Sequence, residues 1–434
     1  MITRTDDPAS IDMRRELGLR ADVATVLSGH QPGVWHGGIL AKRLLLDAVP
    51  RSLGAARGWI VVDQDTSENV SLGYHTRDGE GSPLDRHEVL LRPASRCPAG
   101  TPLGCTAPLK PSDPLSPAVP AWLRDVVARL EAATDRTAAD QLASVNEAVL
   151  SDRLGIEPVP LLNASALART SAFGAFVQAM ADNPEACVGA YNDAARAIPD
   201  AGVRALIARP AAERYELPLW RIRPGEPRSP VFSTMLDDID PAELAPRALT
   251  MTAVLRRHAC DLFIHGIGGA AYDRVMERWI ETWRGRAWAD GLAPAVVATA
   301  TLLPLLDVSP ASDRDVADAV WRLHHARHDP ALLGDADAAK KKQELLRYIH
   351  AAKASGHETA AHFRELHELL GAVRNAGAGV LEELAAEVRR ARQSNADAAV
   401  ASDRTFPWPM HSDRMLQRLR ERLAGGFDQD DVTP

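Results

Sequence analysis

The stretch from Ser28 to Gly38 concentrates two histidines, one glutamine and four glycines in the order Ser-Gly-His-Gln-Pro-Gly-Val-Trp-His-Gly-Gly. Glycines let a backbone approach a bound ligand closely. His30, Gln31 and His36 could hydrogen-bond a phosphate or a carboxylate, and a helix beginning just after them would add free N–H groups and partial positive charge. The stretch therefore predicts an anion site, and the alternative is a tight turn whose histidines satisfy backbone groups. Its glycines are Gly29, Gly33, Gly37 and Gly38.

A pair of carboxylates follows the next apolar segment, in the order Val61-Val62-Asp63-Gln64-Asp65-Thr66. Residues two apart on an extended chain share one face, so the two carboxylates could act together. Such a pair could bind Mg²⁺, hydrogen-bond a ribose or hold a substrate ammonium. The order also resembles the metal motif of many sugar-nucleotide transferases. The structural alternative is that Asp63 or Asp65 only caps a turn.

The stretch from Phe263 to Asp273 repeats the pattern of apolar residues, histidine and glycines, with His265 before Gly266, Gly268 and Gly269. If both stretches follow parallel strands, they meet at the carboxyl edge of one sheet, where ligands bind in open α/β folds. Arg247, which precedes an apolar helix, could offer a fixed positive charge to a phosphate or carboxylate, or it could be a solvated surface residue.

These patterns define two groups of candidates. The catalytic candidates are His30, His36, Asp63, Asp65 and His265. The cofactor-binding candidates are Gly29, Gln31, Gly33, Gly37, Gly38, Arg247, Gly266, Gly268 and Gly269. No residue is assigned as a metal ligand.

The surrounding sequence predicts elements that would position these residues. Short apolar runs without alternation are typical of strands that are covered on both faces, and strand, helix and strand within about 40 residues indicate a parallel βαβ unit. The predicted strands are 23–28, 58–62, 157–163, 217–222, 261–265 and 295–302. The predicted helices up to residue 283 are 39–49, 120–133, 137–152, 166–180, 183–197, 248–257 and 270–283.

After about residue 312 the strand signals end. Apolar residues recur at three- and four-residue steps, which predicts amphipathic helices whose apolar stripe packs in a helical hairpin or a dimer interface. The expected fold class is α/β, with a Rossmann-like parallel-sheet core, inserts and a C-terminal coiled-coil-like helical segment. The expected divisions are 1–75 and 156–310 for the two halves of the core, 76–155 for an insert, 311–405 for the helical segment and 406–434 for a tail with a short helix.

Composition limits the function classes. A formal net charge of -8 and a pI near 6.0 argue against a dedicated nucleic-acid binder. No run approaches the roughly 20 apolar residues of a membrane helix. The start of the chain has no signal-peptide pattern, and none of the cysteines forms a Cys-x-x-Cys pair, so we expect a cytoplasmic protein.

Taken together, these stretches resemble the family of the bacillithiol-synthesis cysteine-adding enzyme. The resemblance spans most of the chain through short motifs. The matching stretches are Ser28–Gly33 with its following helix, Val62–Asp65, Ala190–Asn192, Arg247 with its helix, Ile264–Tyr272 and the helical C-terminal part. Two of them depart from the family: it usually has Gly-Glu-Asp-His-Asp where this chain has Val62-Asp-Gln-Asp-Thr66, and Gly-Gly-Pro-Gly-Glu in the turn after Ile264.

The resemblance implies a Rossmann core like that of class I aminoacyl-tRNA synthetases and a helical coiled coil that forms a homodimer. It also implies a ligase that joins the carboxyl group of cysteine to the amine of an amino sugar, glucosaminyl malate. Such an amide bond needs an activated carboxyl group, so ATP is expected, with Mg²⁺ as a further candidate cofactor. Two alternatives stay open: a metal-dependent nucleotide-sugar transferase that uses Asp63 and Asp65, and a non-catalytic dimeric binding protein.

Overall fold

The computed structural model describes residues 4–66, 70–77, 79, 82–95, 97–304, 306, 308 and 311–425, with only the backbone described for 50–53. The chain divides into two compact units. Unit 1 comprises Met1–Tyr74, His87–Leu302 and Arg404–Pro434, and unit 2 comprises His75–Arg86 and Leu303–Asp403.

The strands and helices alternate through unit 1, and helices dominate unit 2. The strands are β1 (Thr25–His30), β2 (Ala56–Val61), β3 (Val70–Arg77), β4 (Leu84–Pro93), β5 (Leu109–Pro111), β6 (Leu161–Asn163), β7 (Ala208–Arg209), β8 (Arg214–Arg221), β9 (Ser229–Phe232), β10 (Leu244–Pro246), β11 (Leu262–His265) and β12 (Ala295–Val297). The α-helices are α1 (Pro8–Glu16), α2 (Gly37–Leu53), α3 (Ala121–Ala132), α4 (Ala138–Leu154), α5 (Ser171–Asp182), α6 (Pro184–Ala197), α7 (Ala248–Val254), α8 (Ile267–Arg284), α9 (Arg286–Ala289), α10 (Asp313–Ala326), α11 (Ala336–Ala354), α12 (Ala360–Ala376), α13 (Ala378–Ala401) and α14 (Asp413–Gly425).

The core of unit 1 is a parallel five-stranded sheet in the order β12-β11-β1-β2-β6. Numbered along the chain, these strands stand in the order fifth, fourth, first, second and third, which is the Rossmann arrangement. The predicted fold class, an α/β chain with a Rossmann-like parallel sheet and a C-terminal helical region, is therefore confirmed.

Alternate strand residues point to opposite faces of this sheet, and each face has its own apolar core. On β1, Val26 packs with Leu40 and Leu44 of α2, while Leu27 packs with residues of α5, α6 and α8 on the other face. Helices thus cover both faces, which explains why these strands read as continuous apolar runs. The sheet is therefore held between two apolar cores.

Five of the six predicted strands lie in this sheet, though not always with the predicted length, whereas the predicted strand 217–222 falls on β8, which belongs to a separate antiparallel sheet. The segment 157–163 forms a strand only over Leu161–Asn163, and 295–302 only over Ala295–Val297. The first strand begins and ends two residues later than predicted, so Gly29 and His30 belong to β1 and not to the turn after it. The hairpin of β3 and β4, in a three-stranded sheet with β5, was not predicted, because polar residues interrupt both strands.

A third sheet, formed by β10, β8 and β7 with β9 beside β8, lies in the second half of unit 1. The C-terminal segment of unit 1 also belongs to its core, since Trp408 and Leu416 are fully buried in the same apolar cluster as α2. In unit 2, α10 packs against α13 and α11 packs against α12. Among the described residues, no helix is both long and apolar enough to cross a membrane.

Candidate functional site

The order of the parallel sheet reverses between β1 and β11. In open α/β sheets, ligands bind outside the carboxyl ends of the strands at such a reversal. His30 is the last residue of β1, and His265 is the last residue of β11. The structure therefore brings these two sequence-predicted histidines to the same edge, on the two strands that flank the reversal.

His30 is half-buried, and its Nδ1 atom lies 3.2 Å from the carbonyl oxygen of Gln31. Burial, with a further contribution from the charge of Lys42, lowers the pKa of His30 to about 3. The imidazole is thus neutral near pH 7. It can exchange hydrogen bonds with a ligand, but it cannot supply the positive charge that an anion needs.

The two glycines next to the His30 segment, Gly29 and Gly33, differ in the space around them. A Cβ atom on Gly29 would lie 2.4 Å from the carbonyl oxygen of Ile60, so the close approach of β1 and β2 excludes any side chain there. Gly33 has open space around it. Its carbonyl oxygen accepts a hydrogen bond of 2.6 Å from the side chain of Asn146, which fixes the turn to α4.

His36 caps the N-terminus of α2. Its Nδ1 atom accepts the backbone N–H of Gly38 at 3.1 Å, and its carbonyl oxygen accepts the N–H of Ile39. Burial first, and then the charges of Arg404 and Lys42, lower the pKa of His36. A neutral ring that accepts at Nδ1 carries its proton on Nε2, so His36 offers one N–H donor at the start of the helix.

Gly37 and Gly38 begin α2, as the sequence predicts, and both are sterically constrained. A Cβ atom on Gly37 would come within 2.8 Å of the side chain of Leu302, and one on Gly38 within 3.0 Å of the His36 ring. These glycines therefore allow the chain to pass close to neighbouring side chains at the sheet edge.

Lys42, which the sequence analysis did not single out, reaches the same edge from the second turn of α2. It is buried, and its Nζ atom donates a hydrogen bond of 2.5 Å to the carbonyl oxygen of Gly29. The ammonium also lies 5.5 Å from the centre of the Trp59 ring. Burial lowers the pKa of Lys42 to about 7. The sequence pattern did not predict that this lysine is buried, because a lysine in an apolar helix is usually assigned to the solvent-exposed side of that helix.

Asp63 is buried and joins the ends of β2 and β6. Its carboxylate accepts hydrogen bonds from the Ser165 backbone N–H at 2.8 Å and from the Ser165 hydroxyl at 2.5 Å. Gly104 packs so closely that a Cβ atom there would lie 2.7 Å from an Asp63 oxygen. Burial raises the pKa of Asp63. Through these contacts Asp63 joins the loops that follow β2 and β6.

Asp65 has separate partners. Its carboxylate forms an ion pair with Arg228 at 2.9 Å and accepts a hydrogen bond of 3.2 Å from Gln31. The chain turns after β2, so Asp63 and Asp65 do not share a face as an extended chain would require. Within the described part of the chain, no group of three or more histidine, cysteine, aspartate or glutamate side chains could hold a metal ion.

His265 is positioned by α8. Its Nε2 atom lies 2.8 Å from a carboxylate oxygen of Asp273, which also pairs with the buried Arg256 at 2.8 Å. The sequence predicts a glycine-rich turn before a helix that starts at residue 270. The helix instead begins at Ile267, so Gly268 and Gly269 lie in its first turn.

The glycines that follow His265 differ in their surroundings. A Cβ atom on Gly269 would lie 2.3 Å from the Nδ1 atom of His265, so this glycine makes room for the ring. Gly268 has open space around it. Gly266 is next to Lys42, whose Cδ atom would lie 3.7 Å from a Cβ atom there. Gly266 therefore places the end of β11 beside the Lys42 side chain.

Arg247 is buried against β8. It pairs with Glu216 at 2.7 Å, donates to the carbonyl oxygen of Leu219 at 3.1 Å, and stacks 3.9 Å from the centre of the Trp220 ring. Arg228, also missed from the sequence, lies against the same ring at 4.3 Å. Arg247 therefore connects α7 to β8, whereas Arg228 connects this region to Asp65.

No protein-family model matches the chain, and neither a curated protein nor a solved structure matches it significantly.

Proposed function

We propose that this protein is a cytoplasmic carbon–nitrogen ligase of the bacillithiol cysteine-adding type, which binds a nucleotide between the ends of β1 and β11. The observation that carries the proposal is that His30 and His265 end the two strands that flank the reversal of a Rossmann-ordered sheet, with His36 at the start of the helix that follows β1. The reaction is taken from the sequence resemblance, whose stretches Ser28–Gly33 and Ile264–Tyr272 supply this edge.

The groups at this edge suit a phosphate-bearing molecule. His36 offers its Nε2 proton, His30 can donate or accept, and Lys42 contributes an ammonium. A bound nucleotide would supply the energy to activate the carboxyl group. Asp63 and Asp65 do not fit a shared Mg²⁺ site, because each is turned to its own partners, so no step is assigned to Mg²⁺.

The residues of this chain would then bind and orient the substrates. Asp65 is about a third exposed, so its carboxylate is accessible to a substrate ammonium in exchange for Arg228. His265, whose ring lies against Asp273 of α8, would form the opposite wall. Because His30 is uncharged, it would orient a ligand by hydrogen bonding and would not balance the negative charge of that ligand.

The test is a mass-spectrometric assay with glucosaminyl malate, cysteine, ATP and Mg²⁺, with and without protein. We expect a protein-dependent cysteinyl amide that disappears when ATP is omitted. His30→Ala and Asp65→Asn should abolish product without unfolding the protein, whereas the exposed His350→Ala should leave it unchanged. A folded wild-type protein that gives no product would overturn the ligase assignment, and full activity in both site variants would overturn the site.

The metal-dependent transferase gains no support from the separate partners of Asp63 and Asp65, and it leaves the histidines unexplained. The non-catalytic binding protein would show no nucleotide-induced rise in melting temperature. We also propose that two copies pair through the helices of unit 2, where Trp321 and Tyr348 are 55% and 63% exposed. Light scattering after size-exclusion chromatography tests this, and a monomer at micromolar concentration would contradict it.

A further inference from the structure

Buried cations in this protein are paired with carboxylates, with one exception among the described residues. Burying a charge without a partner is costly, so folded proteins pair such groups. Each buried arginine lies 2.8 Å or less from a carboxylate oxygen. The pairs are Arg14 with Asp261, Arg43 with Glu147, Arg247 with Glu216, and Arg256 with Asp273.

Lys42 is the exception. It is 5% exposed, yet among the described residues no carboxylate forms an ion pair with it. Within the described part of the chain its one hydrogen-bond acceptor is the carbonyl oxygen of Gly29, and an ammonium has three protons to donate. The Trp59 ring adds a weak attraction at 5.5 Å. The fold thus holds a buried charge whose counter-ion the described part of the chain does not supply.

The position of this charge coincides with the proposed ligand site. Lys42 bonds to the residue before His30 and packs beside Gly266, which follows His265. Its charge acts on both His30 and His36. The ammonium therefore lies at the end of β1 on the side of β11, where the strand order reverses.

We infer that Lys42 is an anion-binding residue, and that its missing counter-ion is a phosphate group of the ligand that occupies the edge between β1 and β11. Gly29 holds the ammonium in place until the ligand arrives. His30 and His36, both uncharged, complete the site as hydrogen-bonding groups, so Lys42 supplies the buried charge. The inference relies on the proposed function for the place of the ligand, but not for the reaction.

The experiment measures binding of ADP and of inorganic pyrophosphate by calorimetry between pH 6 and pH 9, without substrates. Below about pH 7 Lys42 should add no pH dependence of its own to binding by the wild-type protein. Above that pH, affinity should fall by up to tenfold per unit, because an anion must then recruit the proton that free Lys42 has lost. The other groups facing the site are His30, His36, His265, Asp65 and Arg404. Burial lowers the pKa of His30 to about 3, which is below this range, and it also lowers the pKa of His36 from its ordinary value.

Three variants isolate the charge. Lys42→Met should weaken binding at least tenfold at pH 6.5 and abolish the decrease above pH 7. Lys42→Arg, which keeps its proton throughout, should bind without that decrease. Lys110→Met, at an exposed lysine of unit 1, should behave as wild type. Circular dichroism verifies the folding of each variant.

The outcomes separate this inference from the ligase reaction. Unchanged binding by Lys42→Met, or no binding of either probe by the wild type, would overturn the role of Lys42. Binding that is lost in His30→Ala but kept in Lys42→Met would preserve the site and exclude Lys42 from it. If the probes bind in a manner that depends on Lys42 but the protein forms no amide, the anion-binding role of Lys42 is supported and only the proposed ligase reaction is overturned.

Discussion

Trp408 donates its backbone N–H to the carbonyl oxygen of Trp35 over 2.7 Å, although the two residues are more than 370 positions apart. Its indole Nε1 donates to Asn146 at 3.1 Å, and Asn146 in turn holds the carbonyl of Gly33. The C-terminal segment of unit 1 therefore supports the turn between β1 and α2, which carries the candidate histidines.

We expect Trp408→Phe to destabilise the protein by about 1–3 kcal/mol, because the ring is replaced but the side-chain oxygen of Asn146 loses its buried donor. Amide hydrogen exchange in residues 31–38 should also become faster. Urea denaturation and exchange mass spectrometry measure the two effects. Trp122→Phe, at a half-buried tryptophan on α3, serves as the control with little change expected. Equal exchange in both variants would contradict the support of the turn by Trp408.

The parallel strands, and the polar residues at their carboxyl ends, could be identified from the sequence alone. Apolar runs followed by His30, Asp63 and His265 locate three strands of the sheet and their carboxyl edge, since a doubly covered strand leaves a local signature. The spacing of Asp63 and Asp65 was misleading, because pattern analysis assumes an extended chain where the structure has a turn.

The residues that the sequence could not assign depend on long-range contacts. In the sequence, Lys42 is a polar residue in a largely apolar helix. Its candidate role is evident only from the structure, where it bonds to Gly29 and has no carboxylate partner among the described residues. Arg228 meets Asp65 from a position more than 160 residues later. No local pattern predicts such contacts, and Trp408 is a further case.

We expect Lys42→Met to stabilise the unliganded protein near pH 7, on the order of 4 kcal/mol, since one pKa unit corresponds to about 1.4 kcal/mol. The folded pKa, about 7, lies below the ordinary value of 10.5. The wild-type penalty is therefore complete below pH 7 and fades as pH rises toward 10, because folded Lys42 loses its proton first.

Urea denaturation of wild type and Lys42→Met at pH 6, 7.5 and 9 measures this difference. The stability gap should be largest at pH 6 and smallest at pH 9, while Lys110→Met should show no such trend. Methionine fills nearly the same volume, so a cavity does not obscure the result. A less stable Lys42→Met would mean that the bond to Gly29 outweighs the cost of burying the charge.

Substitution of the two carboxylates after β2 should destabilise the protein to different extents. Asp63→Ala removes the acceptor for both donors of Ser165 and should cost about 2–3 kcal/mol of stability. Asp65→Ala breaks a partly exposed ion pair with Arg228 and should cost less than about 1 kcal/mol. Thermal and urea unfolding compare the two directly. If the Asp65 variant were the less stable one, our division between a structural and a substrate-facing carboxylate would be wrong.

Adjacent glycines at the start of α8 offer a matched test of how His265 is positioned. Gly269→Ala places a methyl group against the His265 ring, so the ring must move away from Asp273, at a cost of about 1–3 kcal/mol. Gly268→Ala enters open space in a helical turn and should be neutral or stabilise by up to about 1 kcal/mol. Nitrogen-15 NMR of the histidine side chains should report a changed His265 environment only in Gly269→Ala. If both alanine variants left the His265 resonance and the melting temperature unchanged, then Gly269 would not define the position of the ring, and His265 could not be counted as a fixed wall of the site.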